Sequence, residues 1–458
     1  MNERNKALPS SFRDPAGFVF LQDGIVYRQV NQAGKAAYDA FMQSGLYRFL
    51  TEKNLLLPHE EMAKGQAEQD VYKILRPEQL SFISYSCEWS FSMLQDAALL
   101  TLRVAKAALE HGMILKDASP FNIQWHKGAP VFIDTLSFDE YTAGNPWIAY
   151  RQFCECFLSP LLLMHYKKIS LHALQLAWPE GIPLQLTRSL LPVKSRFAVL
   201  TWLHIHLHAK MAAKKQDPEE RRARLPKKKL VNLIDSLETL VRSLSLKDSG
   251  TTWGDYYTEA AQRSDYLEQK QQIIREWTGQ LTGLQTAVDF GANEGSFSLP
   301  LAKQGIETIA VDADPVAINK LYKKIKAAKE EHLLPLIIDF TYPTPSFGLG
   351  NSERESFFGR LGRADLGLCL ALIHHLCMGK NIPLERIAAI FAASCRYLVI
   401  EFVPKSDPKV KELLLNKEDI YENYTPAEFE KKFGDSFIIE AARQIPGSER
   451  TLYLMRRK

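Results

Sequence analysis

The chain has 458 residues, 46% hydrophobic and 24% charged, an ordinary balance for a soluble globular protein but too long for one ordinary core, so two domains or three are expected. A net charge of +4 does not by itself call for a nucleic-acid or membrane partner. The six cysteines (Cys87, Cys154, Cys156, Cys369, Cys377 and Cys395) form no CxxC pair and no zinc-like spacing with histidine, so reduced thiols and a cytoplasmic location are expected.

Met1 to Pro15 is polar and charged, lacks an apolar h-region, and is not expected to act as a signal peptide. Phe18 to Val30 alternates around Asp23-Gly24, which predicts a β-hairpin. Ser92 to Glu110 is helical in pattern and ends at His111-Gly112, where Gly112 can supply a left-handed C-cap. Phe157 to Met164 is the most apolar stretch, but Ser159 and Pro160 interrupt it and it falls short of the roughly 20 residues of a membrane span. Lys210 to Lys229 is rich in Lys and Arg without interleaved aromatics, so a solvated helical linker over 210–230 is expected. Leu230 to Leu246 repeats apolar residues at helical spacing. A boundary near 245, at Lys247-Asp248-Ser249-Gly250, divides the chain into 1–245 and 246–458.

After Trp253 short apolar strands alternate with amphipathic helices, the pattern of a parallel α/β sheet. Ala287 to Phe290 reads as a buried strand, Gly291 to Gly295 as a tight turn, and Ser296 to Gln304 as a helix. Gly291 and Gly295 leave bare backbone where a ligand passes over the strand end. The next strand ends in Asp312, at the spacing of about 20 residues that suits a ribose-binding carboxylate. Pro335 to Ile338 ends at Asp339, Leu366 to Ala371 leads into His374-His375, and Tyr397 to Ile400 ends at Glu401. A dinucleotide-binding turn would read GxGxxG; here Glu294 stands inside GxxxG, where it would repel a pyrophosphate and tolerate a cationic sulfonium cofactor. Two strand-like segments, Ser436 to Ile445 and Thr451 to Met455, flank the turn Pro446-Gly447-Ser448 and predict a terminal antiparallel hairpin. Thr425-Pro426-Ala427-Glu428 fits a helix N-terminus with a capping box.

On these motifs, residues 285–403 resemble class I S-adenosylmethionine-dependent methyltransferases, a Rossmann-like seven-stranded α/β fold. The resemblance implies cofactor binding by Asp289, Gly291, Ala292, Asn293, Gly295, Asp312, Ala313, Asp339, Phe340 and Ala371. Asp312 would take the ribose and Asp339 the adenine amino group. Trp253 and Tyr257 resemble an aromatic lid that covers the sulfonium. His374, His375 and Glu401 fall where the acceptor should enter, and a neutral histidine there can take a proton from a hydroxyl or amine. Phe340 to Arg363 is long for a strand-to-helix connection and reads as a substrate lid. The base-methylating motif [Asn/Asp]-Pro-Pro-[Tyr/Phe] is absent after Asp365, which argues against nucleic-acid acceptors.

In the N-terminal half, Leu115 to Ile123 and Val131 to Asp134 resemble the core of kinase-like phosphotransferases, an α+β fold. That resemblance makes Asp117 a base and Asn122 and Asp134 ligands of Mg²⁺, with Lys73 as a guess for the nucleotide lysine. Lys116 before Asp117, Thr135-Leu136 after Asp134 and the absence of a Gly-rich loop depart from the pattern. The whole arrangement is loosely similar to a bacterial group of nodulation-type methyltransferases. The expected function is methyl transfer from S-adenosylmethionine to a small-molecule or glycan-like acceptor, with the N-terminal half aiding substrate binding and no membrane partner. The alternatives are a bifunctional protein with phosphotransferase activity and a non-catalytic S-adenosylmethionine-binding module.

Overall fold

The computed structural model describes residues 7–62, 70–212, 226–246, 264–415 and 418–458. The chain divides into two compact units. The first comprises Met1–Asp248 together with Phe347–Arg354, and the second Ser249–Ser346 with Glu355–Lys458.

In the first unit, β1 (Gly17–Gln22) and β2 (Ile25–Asn31) form the expected hairpin. Asp23 and Gly24 both take left-handed φ, 51° and 77°, which matches the twist of the flanking strands. With β3 (His59–Met62) and β4 (Val71–Pro77) they make an antiparallel sheet of order β1-β2-β4-β3. The helix Phe91–Glu110 follows, buried almost all round as an enclosed helix must be, and Gly112 turns the chain at φ 76°. The helix Lys227–Ser243 packs beside it: Gln95 Nε2 donates to the carbonyls of Val241 (2.7 Å) and Leu244 (2.9 Å), and Lys106 pairs with Asp235 at 2.7 Å. Short strands β5 (Met113–Leu115), β6 (Ile123–His126), β7 (Ala129–Phe132) and β8 (Phe138–Glu140) pair as β5-β8 and β6-β7. They bracket the loops that carry Asp117, Asn122 and Asp134.

The second unit is built on seven strands: β9 (Thr286–Phe290), β10 (Glu307–Asp312), β11 (Leu333–Ile337), β12 (Ala364–Cys369), β13 (Cys395–Phe402), β14 (Phe437–Gln444) and β15 (Thr451–Arg457). Their order is β11-β10-β9-β12-β13-β15-β14. The first five run parallel, and β15 joins antiparallel to β13 and β14. This is a Rossmann-like sheet closed by the predicted terminal hairpin. The order reverses between β9 and β12, the place where open α/β sheets bind ligands. Register sets the strand ends level: Phe290 lies beside Val311 on one side and Cys369 on the other, and Cys369 lies beside Ile400. Asp312, Gly291 and the residues after Cys369 therefore emerge along one edge. The helix Ser264–Gln280 covers one face of the sheet with Ile273, Ile274 and Trp277, which share a core with Leu366, Leu368 and Val399.

Two boundaries differ from expectation. The strand β13 continues through Phe402, so Glu401 lies inside it and not at its end. Antiparallel pairing with β15 adds ladder hydrogen bonds that the apolar pattern of β13 alone does not reveal. The helix after the glycine turn is shorter than predicted, Ser298–Ala302. The basic linker beyond Ala212, the lid residues Trp253 and Tyr257, and the boundary at Lys247 to Gly250 lie outside the described residues.

Candidate functional site

The turn after β9 is held by backbone. The amides of Gly291 and Ala292 both donate to the carbonyl of Val311, at 2.9 and 3.0 Å. Gly291 (φ 79°), Asn293 (φ 48°) and Gly295 (φ 77°) are all left-handed, a run that glycine and asparagine tolerate best. Gly295 is also confined: a Cβ there would stand 2.6 Å from Leu321 Cδ1 on the helix Pro315–Ala328. Gly291 is exposed at the mouth and Ala292 is buried beneath it. Across the switch point Ala371 takes φ 53°, uncommon for a side-chain-bearing residue and costing roughly 1–2 kcal/mol. Such strain at a strand end is typical of ligand sites.

Three of the expected cofactor-binding acids lie on neighbouring strands, Asp289 within β9, Asp312 at the end of β10 and Asp339 just beyond β11, and they are in different states. Asp289 is buried and accepts from Ser298 Oγ at 2.5 Å. Burial pushes its carboxyl up to about 6, against the pull of Ser298 and of the Lys270 charge. Asp312 is half-buried and accepts from the amides of Asn293 (2.9 Å) and Asp314 (2.8 Å). Burial raises its pKa, and those amides partly offset the rise. Ala313, exposed, adds a backbone bond to the same carboxylate. Asp339 Oδ1 accepts from the Thr341 amide (2.8 Å) and hydroxyl (2.6 Å), leaving Oδ2 for an outside donor. Phe340 packs with Phe290, Phe358 and Phe391.

Glu294 pairs with Lys320 at 3.0 Å on the half-exposed surface of the turn. Its charge is already compensated, so it says little about the cofactor.

The rings of His374 and His375 lie with centroids 4.1 Å apart, tilted by 40°. His374 is fully enclosed, and neither of its ring nitrogens has a hydrogen-bond partner. Burial, with the neighbouring His375 and Arg450, holds its pKa well below the usual imidazole value, so it is neutral at pH 7. His375 is half-buried and pushed down to about 4, mainly by desolvation. Glu401 is different from the free base that its position suggested. It is fully buried and pairs with Lys270, with Arg450 (3.4 Å) and with the hydroxyl of Tyr266 (2.7 Å). Although burial opposes ionisation, the Lys270 and Arg450 charges hold its carboxyl at about 2. Arg450 in turn pairs with Asp407 at 2.7 Å.

Sequence reasoning missed Lys270, Tyr266, Arg450 and Ser298. A signal for Lys270 existed: it shares the apolar stripe of its helix with Ile273, Ile274 and Trp277, where a lysine needs a buried partner. Its ammonium also lies 4.8 Å from the Phe297 ring centre.

This donor set fits a phosphate-free nucleoside cofactor. Asp312 and Asp339 can accept from hydroxyl and amino groups, while the buried cation nearest the turn is already paired with Glu401. The unpartnered nitrogens of His374 are polar atoms awaiting a partner.

In the first unit, of the three residues singled out by the phosphotransferase resemblance, Asn122 and Asp134 are linked through Ser137 and Asp117 has other partners. Ser137 Oγ donates to Asp134, and Asn122 Nδ2 donates to Ser137 Oγ at 3.2 Å. Asp117 accepts from the Ser119 amide (2.9 Å) and from Gln152 Nε2 (2.7 Å). Asp134 also faces Arg28 on β2 at 2.6 Å, so a guanidinium stands against the carboxylate that the resemblance gave to Mg²⁺. Lys73 does not reach this group; it pairs with Glu61 on the neighbouring strand. Among the described residues no cluster of three or more His, Cys, Asp or Glu could hold a metal ion.

No protein-family profile matches the chain. Among solved structures it is similar to magnesium protoporphyrin IX methyltransferase (ChlM) from Synechocystis PCC 6803 with bound SAM, at 19% identity over 46% of this chain and 87% of that one, with a TM-score of 0.31. It is also similar to the bifunctional kinase-methyltransferase WbdD, at 17% identity over 43% of this chain and 39% of that one, with a TM-score of 0.30. The curated nodulation protein NoeA of Rhizobium meliloti (strain 1021) is 33% identical over 465 residues, spanning 98% of this chain and 95% of NoeA. Likeness at that level across both units means that the chain belongs to the NoeA family of nodulation proteins.

Proposed function

We propose that the second unit binds S-adenosylmethionine and transfers its methyl group to a small-molecule or glycan-like acceptor, with the first unit aiding substrate binding. The observation that carries this reading is the glycine turn at the sheet's switch point, with Asp312 and Asp339 on the adjoining strand ends and His374 left without partners beside it. When bound, the cofactor supplies an electrophilic methyl on a sulfonium. Asp312 would hold the ribose hydroxyls, Asp339 Oδ2 the adenine amino group, and the Gly291 backbone the methionine portion. His374, neutral at pH 7, would accept the proton that an acceptor hydroxyl or amine loses as it is methylated. Glu401 would act through its neighbours, anchoring Lys270 and Arg450 near His374.

Isothermal titration and single-turnover assays test this together. Wild type should bind S-adenosylmethionine, and His374→Asn should bind it equally while losing about 10²–10⁴-fold in methyl transfer. A folded protein that gives no heat with S-adenosylmethionine would end the proposal. Binding without turnover on any sugar or small hydroxylated acceptor would favour a non-catalytic binding module.

A further inference from the structure

Between Glu180 and Asp217 the chain has no acidic residue. The described part of that stretch folds as the helix Leu184–Leu190, a 3₁₀ turn Val193–Phe197, and a continuous helical run from Val199 to Ala212. Its inner side holds Leu184, Leu191 and Ile205 together with an unusual number of polar side chains. Thr187, Ser195, Thr201, His204 and His206 are buried, and three of them are tied inward: Ser195 Oγ meets His206 Nε2 at 2.8 Å, and His204 bridges Tyr150 (2.9 Å) and Ser236 (3.0 Å). The outer side carries Leu190, Val193, Phe197, Val199, Trp202 and Leu203. Phe197 is 83% exposed, Val199 76% and Trp202 45%. A face that needs only water around it is patterned the other way.

Arg188, Lys194 and Arg196 are exposed among these apolar side chains. Beside Val193, a cleft of about 230 Å³ is lined by His165, Tyr166, Lys168, Lys194 and Ser245. Lys194 Nζ lies 5.8 Å from the Tyr166 ring centre, and Lys168 also lines the cleft. The cleft offers two ammonium groups and no carboxylate, and its volume admits a phosphate-bearing headgroup.

We propose that this face is a peripheral docking surface for an anionic lipid bilayer. The aromatic and aliphatic side chains enter the boundary between headgroups and acyl chains. The Arg and Lys side chains and the basic cleft meet lipid phosphates. No membrane span is required, and no helix among the described residues is long and apolar enough to form one. Charge selects the occupant: a second copy of this face would bring like charges together, and the following stretch 213–225 is itself net basic in sequence. The expectation that the chain has no membrane partner rested on its small net charge and on the lack of a spanning apolar stretch, and neither registers a local excess of this kind.

Vesicle flotation of the full chain tests the proposal. With vesicles of phosphatidylcholine containing one-third phosphatidylglycerol the protein should float, and with phosphatidylcholine alone it should stay at the bottom. The double substitution Phe197→Ser with Trp202→Ser, and separately Lys194→Glu with Arg196→Glu, should each weaken binding by about tenfold or more. Thermal melts of both variants should overlay wild type, because the altered side chains are exposed. Raising salt should release the charge-dependent part. If the wild type stays unbound at low salt on the anionic vesicles, the proposal fails. If it instead sediments as a dimer that Phe197→Ser converts to monomer, the face joins two copies and the proposal also fails.

Discussion

The guanidinium of Arg28 lies 2.6 Å from the carboxylate of Asp134, with both side chains 14% exposed. One comes from the opening hairpin and the other from the loop after β7, so the pair ties two parts of the first unit. Asp134→Ala leaves Arg28 largely shielded and without its partner, and should cost about 1–3 kcal/mol in urea unfolding. Arg28→Ala should cost a similar amount, and the double substitution less than the sum. With this cation already in place, Mg-ATP should not raise the melting temperature of the wild type. A rise of several degrees would mean that the pair opens for a metal and would restore a phosphotransferase reading.

Cofactor binding should depend on Asp312 and not on Asp117. Asp312→Ala removes a carboxylate that would accept two ribose hydroxyls, with each such charged hydrogen bond contributing roughly 1.5–3 kcal/mol. Titration should show S-adenosylmethionine affinity falling at least about tenfold. Asp117→Ala should titrate like wild type.

Glu401→Gln should be among the most damaging single changes in the second unit. It leaves Lys270 without this carboxylate and takes one carboxylate from Arg450, in a buried setting, a loss of about 3–5 kcal/mol by analogy with broken buried pairs. Lys270→Met should cost less, because Arg450 and Tyr266 still hold the carboxylate. Denaturant midpoints of the two variants give the comparison directly.

Two carboxyls give opposite pH trends. Glu401 is depressed from 4.5 to about 2, so its stabilisation is full above pH 4.5 and is lost as pH falls toward 2. Asp289 is raised from 3.8 to about 6, so its contribution is full below pH 3.8 and is lost as pH rises through 6. In the cofactor-free protein, Asp289→Asn should therefore flatten the stability profile between about pH 4 and 6, while acid unfolding below pH 4.5 persists. A profile unchanged by Asp289→Asn would place the titration elsewhere.

The two turn glycines should respond unequally to alanine. Gly291→Ala meets only the left-handed backbone penalty, about 1–2 kcal/mol, since its Cβ would rest 3.6 Å or more from Leu372. Gly295→Ala adds a 2.6 Å approach to Leu321 Cδ1 and should lose about 1–3 kcal/mol more.

Where the sequence was informative, the reason was periodicity and position. Short apolar runs ending in Asp312 or Asp339 marked strands and their carboxyl ends, and Thr425 caps its helix as the capping pattern required, accepting from the Glu428 amide at 3.2 Å. Glu401 illustrates the opposite case. Its neighbours Lys270 and Arg450 are 131 and 49 residues away along the chain, so no local pattern could reveal that its charge is already balanced. The partner of Glu294 was hidden for the same reason, since Lys320 lies 26 residues beyond it. Arg28 is a third instance: it sits in an alternating strand like any exposed residue, and only the fold sets it against Asp134.

The segment Phe347–Arg354 belongs to the first unit although it lies between β11 and β12. Glu353 pairs with Arg13 at 2.9 Å, Phe347 packs edge-on against Tyr85, and the Arg354 guanidinium lies 4.1 Å from the Phe121 ring centre. The polypeptide thus passes between the units three times, and no single scissors cut yields two whole pieces. A fragment ending near residue 248 would lack the plug that covers Phe121, and a fragment beginning there would carry it as a loose, partly apolar flap. Gene fusions or fissions that treat the halves as interchangeable cassettes would break this stitch, which gives selection a reason to inherit the two together.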